Sequence, residues 1–197
     1  MDSGPYRDDQ DAVRRGLRDV RAMSNAEDID DLIQLASSRA RWKDVTVRAA
    51  VADAIRRVRA PSGIPCLVSM LWDDAESVRN TAMWALLDLH REIVASEDLR
   101  RVVGDALVEI VSEDDLRPFA LSLIEELRYA PAASSVRRLL EHHDGRVRVA
   151  AAETLVILGD SAAVSAIERA AALEPKRSRR RRLERSVESL REHRTVA

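Results

Sequence analysis

The side chains that could do chemistry in this chain are few, and their spacing decides what that chemistry would be. Cys66 is the single cysteine, so neither an internal disulfide nor a cysteine-based metal site can form within the chain. It follows Gly63, Ile64 and Pro65 on a helix whose periodicity turns it toward the core, where a thiol behaves as a small hydrophobe. His142, His143 and Asp144 could offer metal ligands, but adjacent histidines on a turn point in different directions and no third histidine is near in sequence. The spacings of a Gly-rich phosphate loop, a His-Glu-x-x-His helix and a Gly-x-Ser-x-Gly elbow are missing. No catalytic residue, metal or cofactor is therefore expected. What remains is a basic segment, Lys176, Arg177, Arg179, Arg180, Arg181 and Arg182, reinforced by Arg185. Positive charge at a helix start is opposed by the helix dipole, so the segment is expected to be compensated from elsewhere, by water, an acidic protein or phosphates.

The elements that position these residues follow from composition and period. Hydrophobic residues make up 46% of the 197 positions and aromatics only 3%, with Ala, Leu, Val and Arg prominent, which favours helices over sheets. Four segments align on one arginine: Arg48, Arg79, Arg117 and Arg148, spaced by 31, 38 and 31 residues. A fifth, degenerate copy places Arg180, Val187 and Leu190 one residue late. Apolar positions recur at intervals of three, four and seven, as on an amphipathic helix. A second helical stretch precedes each such helix, near 64–72, 99–111, 132–140 and 162–173, and polar turns rich in Asp join the two. Their carboxylates can accept the free N–H groups of the next helix. Pro61, Pro65, Pro131 and Pro175 stand where helices can begin. The unit is a helix pair of about thirty residues.

An Asp-containing turn, then Val-Arg, then small residues such as Ala49-Ala50 or Ala150-Ala151-Ala152, then an Ala/Thr-Leu pair, resembles the short bacterial HEAT-like repeat first associated with phycobilisome lyases. The resemblance covers residues 26–193. Pro118 and Phe119 break it in the third copy, and arginines do so in the fifth. It implies an all-α, right-handed α-α superhelix of about five helix pairs. A tail and capping helix would occupy residues 1–25, with the helix near 8–23, and a short tail 194–197. Such repeats bury their apolar stripes only against neighbours. The repeated arginines are expected to pair with carboxylates of adjacent turns.

On a helical wheel with Val78 as origin, Ala82, Ala85, Leu86 and Leu89 gather on one side and Asn80, Trp84, Leu87 and Arg91 on the other. The resemblance puts second helices along a concave face, so this other side would point into the groove. Carried to the remaining copies, the wheel adds Ala49, Asp53 and Arg56, then Ser122, Glu125 and Tyr129, then Val149, Glu153 and Val156, then Arg181, Arg185 and Glu188. Trp84 and Leu87 bordered by Tyr129, Glu125 and Asp53 have the make-up of an apolar anchor with a polar rim. The competing expectation is that curvature or the N-terminal helix covers Trp84. Trp42 and Trp72, at the ends of first helices, are expected to seal the rim of the core.

The formal net charge of −2 gives no global pull toward nucleic acid or anionic lipid. Acidic residues gather near the N-terminus (Asp8, Asp9, Asp11, Glu27, Asp28, Asp30, Asp31), and head-to-tail association would suit this polarity. No stretch reads as a signal peptide or a membrane span, so a cytoplasmic location and no membrane partner are expected. The reading is a non-enzymatic scaffold or adaptor that holds a protein partner through the face bearing Asp53, Arg56, Asn80, Trp84, Leu87, Arg91, Glu125, Tyr129 and Glu153. Nucleic-acid binding through the arginine segment is the alternative, although carboxylates interrupt the groove. Chromophore handling like that of a bilin lyase follows only from the resemblance. The oligomeric state is left open.

Overall fold

Carboxylates in the turns start two of the second helices. Asp44 accepts the N–H of Thr46 at 2.8 Å and Asp144 that of Arg146 at 2.8 Å, each holding extended backbone just before the helix, as an N-cap does. A computed structural model of the chain describes residues 5–23, 25–37 and 44–196. Among these residues there are twelve α-helices and no strand. They are α1 (Pro5–Ala22), α2 (Ile29–Ser37), α3 (Val45–Val58), α4 (Ile64–Met70), α5 (Glu76–Asp88), α6 (His90–Val94), α7 (Glu97–Ile110), α8 (Arg117–Leu127), α9 (Ala133–Arg138), α10 (Gly145–Ile157), α11 (Val164–Leu173) and α12 (Arg177–Val196). Short 3-10 turns lead into α2, α4, α9 and α11. Trp42 lies outside the described residues.

The contacts divide the chain into two compact units that meet inside α7, between Val103 and Gly104. In the first, α1 packs on α3, α2 on α3, α3 on α5 and α4 on α5. In the second, α10 lies against α8 and α12, and α11 against α12. Second helices therefore stand side by side within each unit, and α1 adds a further helix against α3. The longer step of 38 residues between Arg79 and Arg117 accommodates α6, which follows α5 almost without a break.

The repeated arginine fixes the register of every copy. Three, four, six and seven residues after it, all positions are buried: Val51, Ala52, Ala54 and Ile55; Ala82, Met83, Ala85 and Leu86; Ala120, Leu121, Leu123 and Ile124; Ala151, Ala152, Thr154 and Leu155. Those offsets are one face of a helix. In α12, Leu183, Ser186 and Val187 fill the same offsets from Arg180 and are buried, so Arg180 is the true fifth copy and only Glu184 departs.

The guanidinium itself ties the turn. Arg79 donates to the carbonyl of Asp73 at 2.9 Å, Arg117 to that of Val111 at 3.1 Å, Arg148 to that of His142 at 2.7 Å and Arg180 to that of Glu174 at 2.8 Å, each six residues earlier. At Asp73, His142 and Glu174 the side chain of that earlier position also receives the arginine of the preceding copy. Arg48 reaches Asp73 at 2.8 Å, Arg117 reaches the His142 ring at 3.3 Å, and Arg148 reaches Glu174. This interlock realises the expected pairing of arginines with turn residues, with His142 standing in for a carboxylate. Burial and the Arg117 charge hold the His142 imidazole below its ordinary pKa, as expected where a cation lies beside the ring.

Candidate partner-binding surfaces

The position five residues after the repeated arginine points away from the buried face, and its occupants in turn are Asp53, Trp84, Ser122, Glu153 and Arg185. In the first unit this row runs over α3 and α5. Trp84 is 57% exposed although its neighbours Met83, Ala85 and Leu86 are fully buried. Leu87 is half-buried and Arg91 exposed. Asn80, one turn before Trp84, reaches Glu76 only at 3.5 Å, and its Oδ1 is buried with no donor among the described residues.

Beside the ring lies a continuous ion-pair net. Arg56 donates to Asp53 at 2.9 Å and to Asp88 at 3.1 Å, and Arg57 to Asp53 at 3.2 Å. Arg59 donates to Asp88 at 3.3 Å and to Glu92 at 3.0 Å. Hydrogen bonds to Asp53 and Asp88 raise the Arg56 pKa further. Each pair is partly exposed and individually weak, but the net fixes side chains that would otherwise be mobile around Trp84.

In the second unit the face carries both signs, with Glu125 and Glu153 beside Arg181, Arg182 and Arg185. Glu125 accepts the Thr154 hydroxyl at 2.6 Å, and burial, with the charges of Glu153 and Glu126, pushes its carboxyl above the ordinary range despite that bond. Glu153 receives a two-pronged donation from Arg182 at 2.9 and 2.7 Å.

Two residues expected on this face are not available to it. Tyr129 is only 6% exposed: its ring lies over Gly104, where a Cβ would sit 2.6 Å from ring carbons, and its hydroxyl donates to Asp105 at 2.6 Å. Val149 is 2% exposed. A helical wheel places a residue by angle alone, whereas Tyr129 has already left α8 and turns inward beneath α7. Trp72 is 47% exposed, so it covers the rim only in part.

Residues 104–188 match the family of HEAT repeats. A crystal structure of an engineered protein superposes on the chain with a TM-score of 0.58 at 17% identity, covering 90% of this chain and 85% of that one. Residues 104–188 are thus similar to HEAT repeats, and the chain folds as an all-α, HEAT-like solenoid. The comparison with curated proteins gives no match. The likeness to the engineered protein concerns the fold alone.

In the HEAT-like frame the basic segment separates into two groups. Arg179 donates to Glu174 at 2.9 Å, Arg180 to the Glu174 carbonyl and Arg182 to Glu153, so three of its arginines are structural. Lys176, Arg177, Arg181 and Arg185 are exposed and form no ion pair among the described residues. Glu174, fully buried, is the residue that sequence reasoning passed over. It accepts Arg148, Arg179 and the Lys176 N–H, and these donors hold its carboxyl below the ordinary range against the effect of burial. The signal was present: Glu174 stands six residues before Arg180, as Asp73 does before Arg79. Cys66 is half-buried, and burial pushes its thiol up to about 11, an unreactive environment. No helix among the described residues is long and apolar enough to cross a membrane.

Proposed function

We propose that this HEAT-like protein is a non-catalytic scaffold that binds a protein partner through the second-helix face, with Trp84 as the anchor of the first unit's share. The observation that carries the reading is Trp84 itself, 57% exposed on a helix whose next residue and Leu86 are completely covered. A large aromatic left on the surface, with half-buried Leu87 and an unsatisfied Asn80 carbonyl on the same helix, matches the make-up of interface hot spots. Repeat solenoids work through surfaces of this kind.

The test compares two substitutions on α5. Trp84→Ala removes a ring that is 57% exposed and is expected to shift stability by less than about 1 kcal/mol, whereas Leu86→Ala empties a closed site at about 2–5 kcal/mol. Urea midpoints measure both. Proteins captured from native lysate by the wild-type chain are then titrated against Trp84→Ala, with a loss of about thirtyfold or more in affinity expected. Equal destabilisation by the two changes, or unaltered affinity for the captured protein, would overturn the anchor.

A further inference from the structure

The outward face of α12 carries exposed charges of both signs in a definite order. Leu183, Ser186, Val187 and Leu190 are buried, and on the opposite side Arg177, Arg181, Arg185, Glu184, Glu188 and Glu192 are all exposed. At 3.6 residues per turn these six fall within an arc of about 100°. Arg177, Arg181 and Arg185 follow one another at single-turn spacing, where like charges repel, and Arg177 opens the helix, where the dipole repels it again. Neither these arginines nor Glu184 and Glu188 form an ion pair among the described residues.

We propose that this face is a docking surface for α12 of a second copy of the chain, the two helices running antiparallel about a twofold axis. With the axis between Glu184 and Arg185, every charge meets its opposite. Arg185 faces Glu184 of the other copy, Arg181 faces Glu188, and Arg177 faces Glu192. Symmetry repeats each pair, as an isologous contact requires. A slip of one turn in either direction leaves an arginine of each copy without a carboxylate, and parallel helices would set Arg against Arg. The arrangement therefore specifies both direction and register.

The same three glutamates argue against a polyanion as the occupant. A phosphate backbone tracking Arg177, Arg181 and Arg185 would run into Glu184, Glu188 and Glu192 on the same arc, and no aromatic side chain stands among them. Exposed ion pairs are individually weak and screened by salt, and a single helix pair covers less than a standard interface. The association is accordingly weak, dynamic and salt-sensitive.

Sedimentation equilibrium of the full chain tests this. In about 50 mM salt the weight-average mass should climb from the 22.0 kDa monomer toward twice that value at protein concentrations of hundreds of micromolar, and return to the monomer in about 0.5 M salt, where the Debye length shrinks to a few ångströms. The reversals R177E/R181E/R185E and E184R/E188R/E192R should each be monomeric under both conditions, since one face becomes wholly acidic and the other wholly basic. Mixed in equal amounts they should associate at least as strongly as the wild type. Circular dichroism checks that both remain helical. Should a reversal lose helix, R177Q/R181Q/R185Q replaces it and is likewise expected to be monomeric. A wild-type chain that stays monomeric in low salt overturns the proposal, as does a mixture of the two reversals that fails to associate. A monomer that instead binds short duplex DNA through the three arginines would assign the face to phosphates and equally overturn it.

Discussion

Glu174 shows how much one side chain can hold. Its carboxylate is fully buried, yet it accepts two guanidiniums and a backbone N–H. Gly145 lies against it so closely that a Cβ there would collide with Glu174 Oε2. A buried carboxylate is tolerated only when its lone pairs are filled, and here they are. Glu174→Gln keeps the shape but removes the charge from beneath Arg148 and Arg179. The expected cost is about 2–3 kcal/mol, read as a lower urea midpoint with an unchanged slope. Glu184→Gln, on the exposed side of the next helix, should move the midpoint by less than about 0.5 kcal/mol equivalent.

At the scale of the element, three of the second helices end in the same way. Eleven residues after the repeated arginine come Arg59, Arg128 and Gly159, with φ of 55°, 45° and 69°. This is the left-handed conformation that closes a helix, which costs an L-residue roughly 1–2 kcal/mol and glycine almost nothing. Arg59 has a reason to be there, because it binds Asp88 and Glu92. Arg128 is exposed and no comparable net holds it. Arg128→Gly is therefore expected to raise stability by about 0.5–1 kcal/mol, seen as a higher melting temperature with unchanged helix content. A lower melting temperature would mean that the arginine side chain contributes more than its backbone strain.

For the whole molecule the interlocked turns predict an acid-sensitive fold. Asp73 accepts Arg48 and the Ala75 N–H; burial alone would raise its pKa, but those donors prevail and bring it down to about 2. Its folded pKa lies below its unfolded value, so its stabilisation is complete above pH 4 and is lost as pH falls toward 2, worth about 2 kcal/mol. Glu174, lowered by the same kind of donors, acts in the same direction. His142 is depressed as well, so stability begins to decline as pH drops below about 6.5, where the unfolded ring would charge. Glu125 opposes them: its raised pKa means stability present in acid and lost as pH rises through that value. Three groups against one give a net loss on acidification. Urea unfolding at pH 7, 5 and 3 should show the midpoint falling steadily, and Asp73→Asn should flatten the limb between pH 4 and 2.

The sequence by itself determined the helices and their register, because both are local. Period, caps and turn carboxylates act within a few residues, and the arginine repeat that organises them is written in the chain; Arg180 could be placed as the fifth copy by counting. Trp84 was likewise legible as lying off the buried stripe, since Ala82, Ala85 and Leu86 define that stripe on one helix. Only the tertiary structure decided which side chains meet across helices. Tyr129 turned inward because Gly104, in another helix, leaves room for a ring. Arg182 was drawn from the basic segment to Glu153 because α10 and α12 lie side by side. A wheel knows the direction of a side chain but not its neighbour, and pairing energies belong to neighbours.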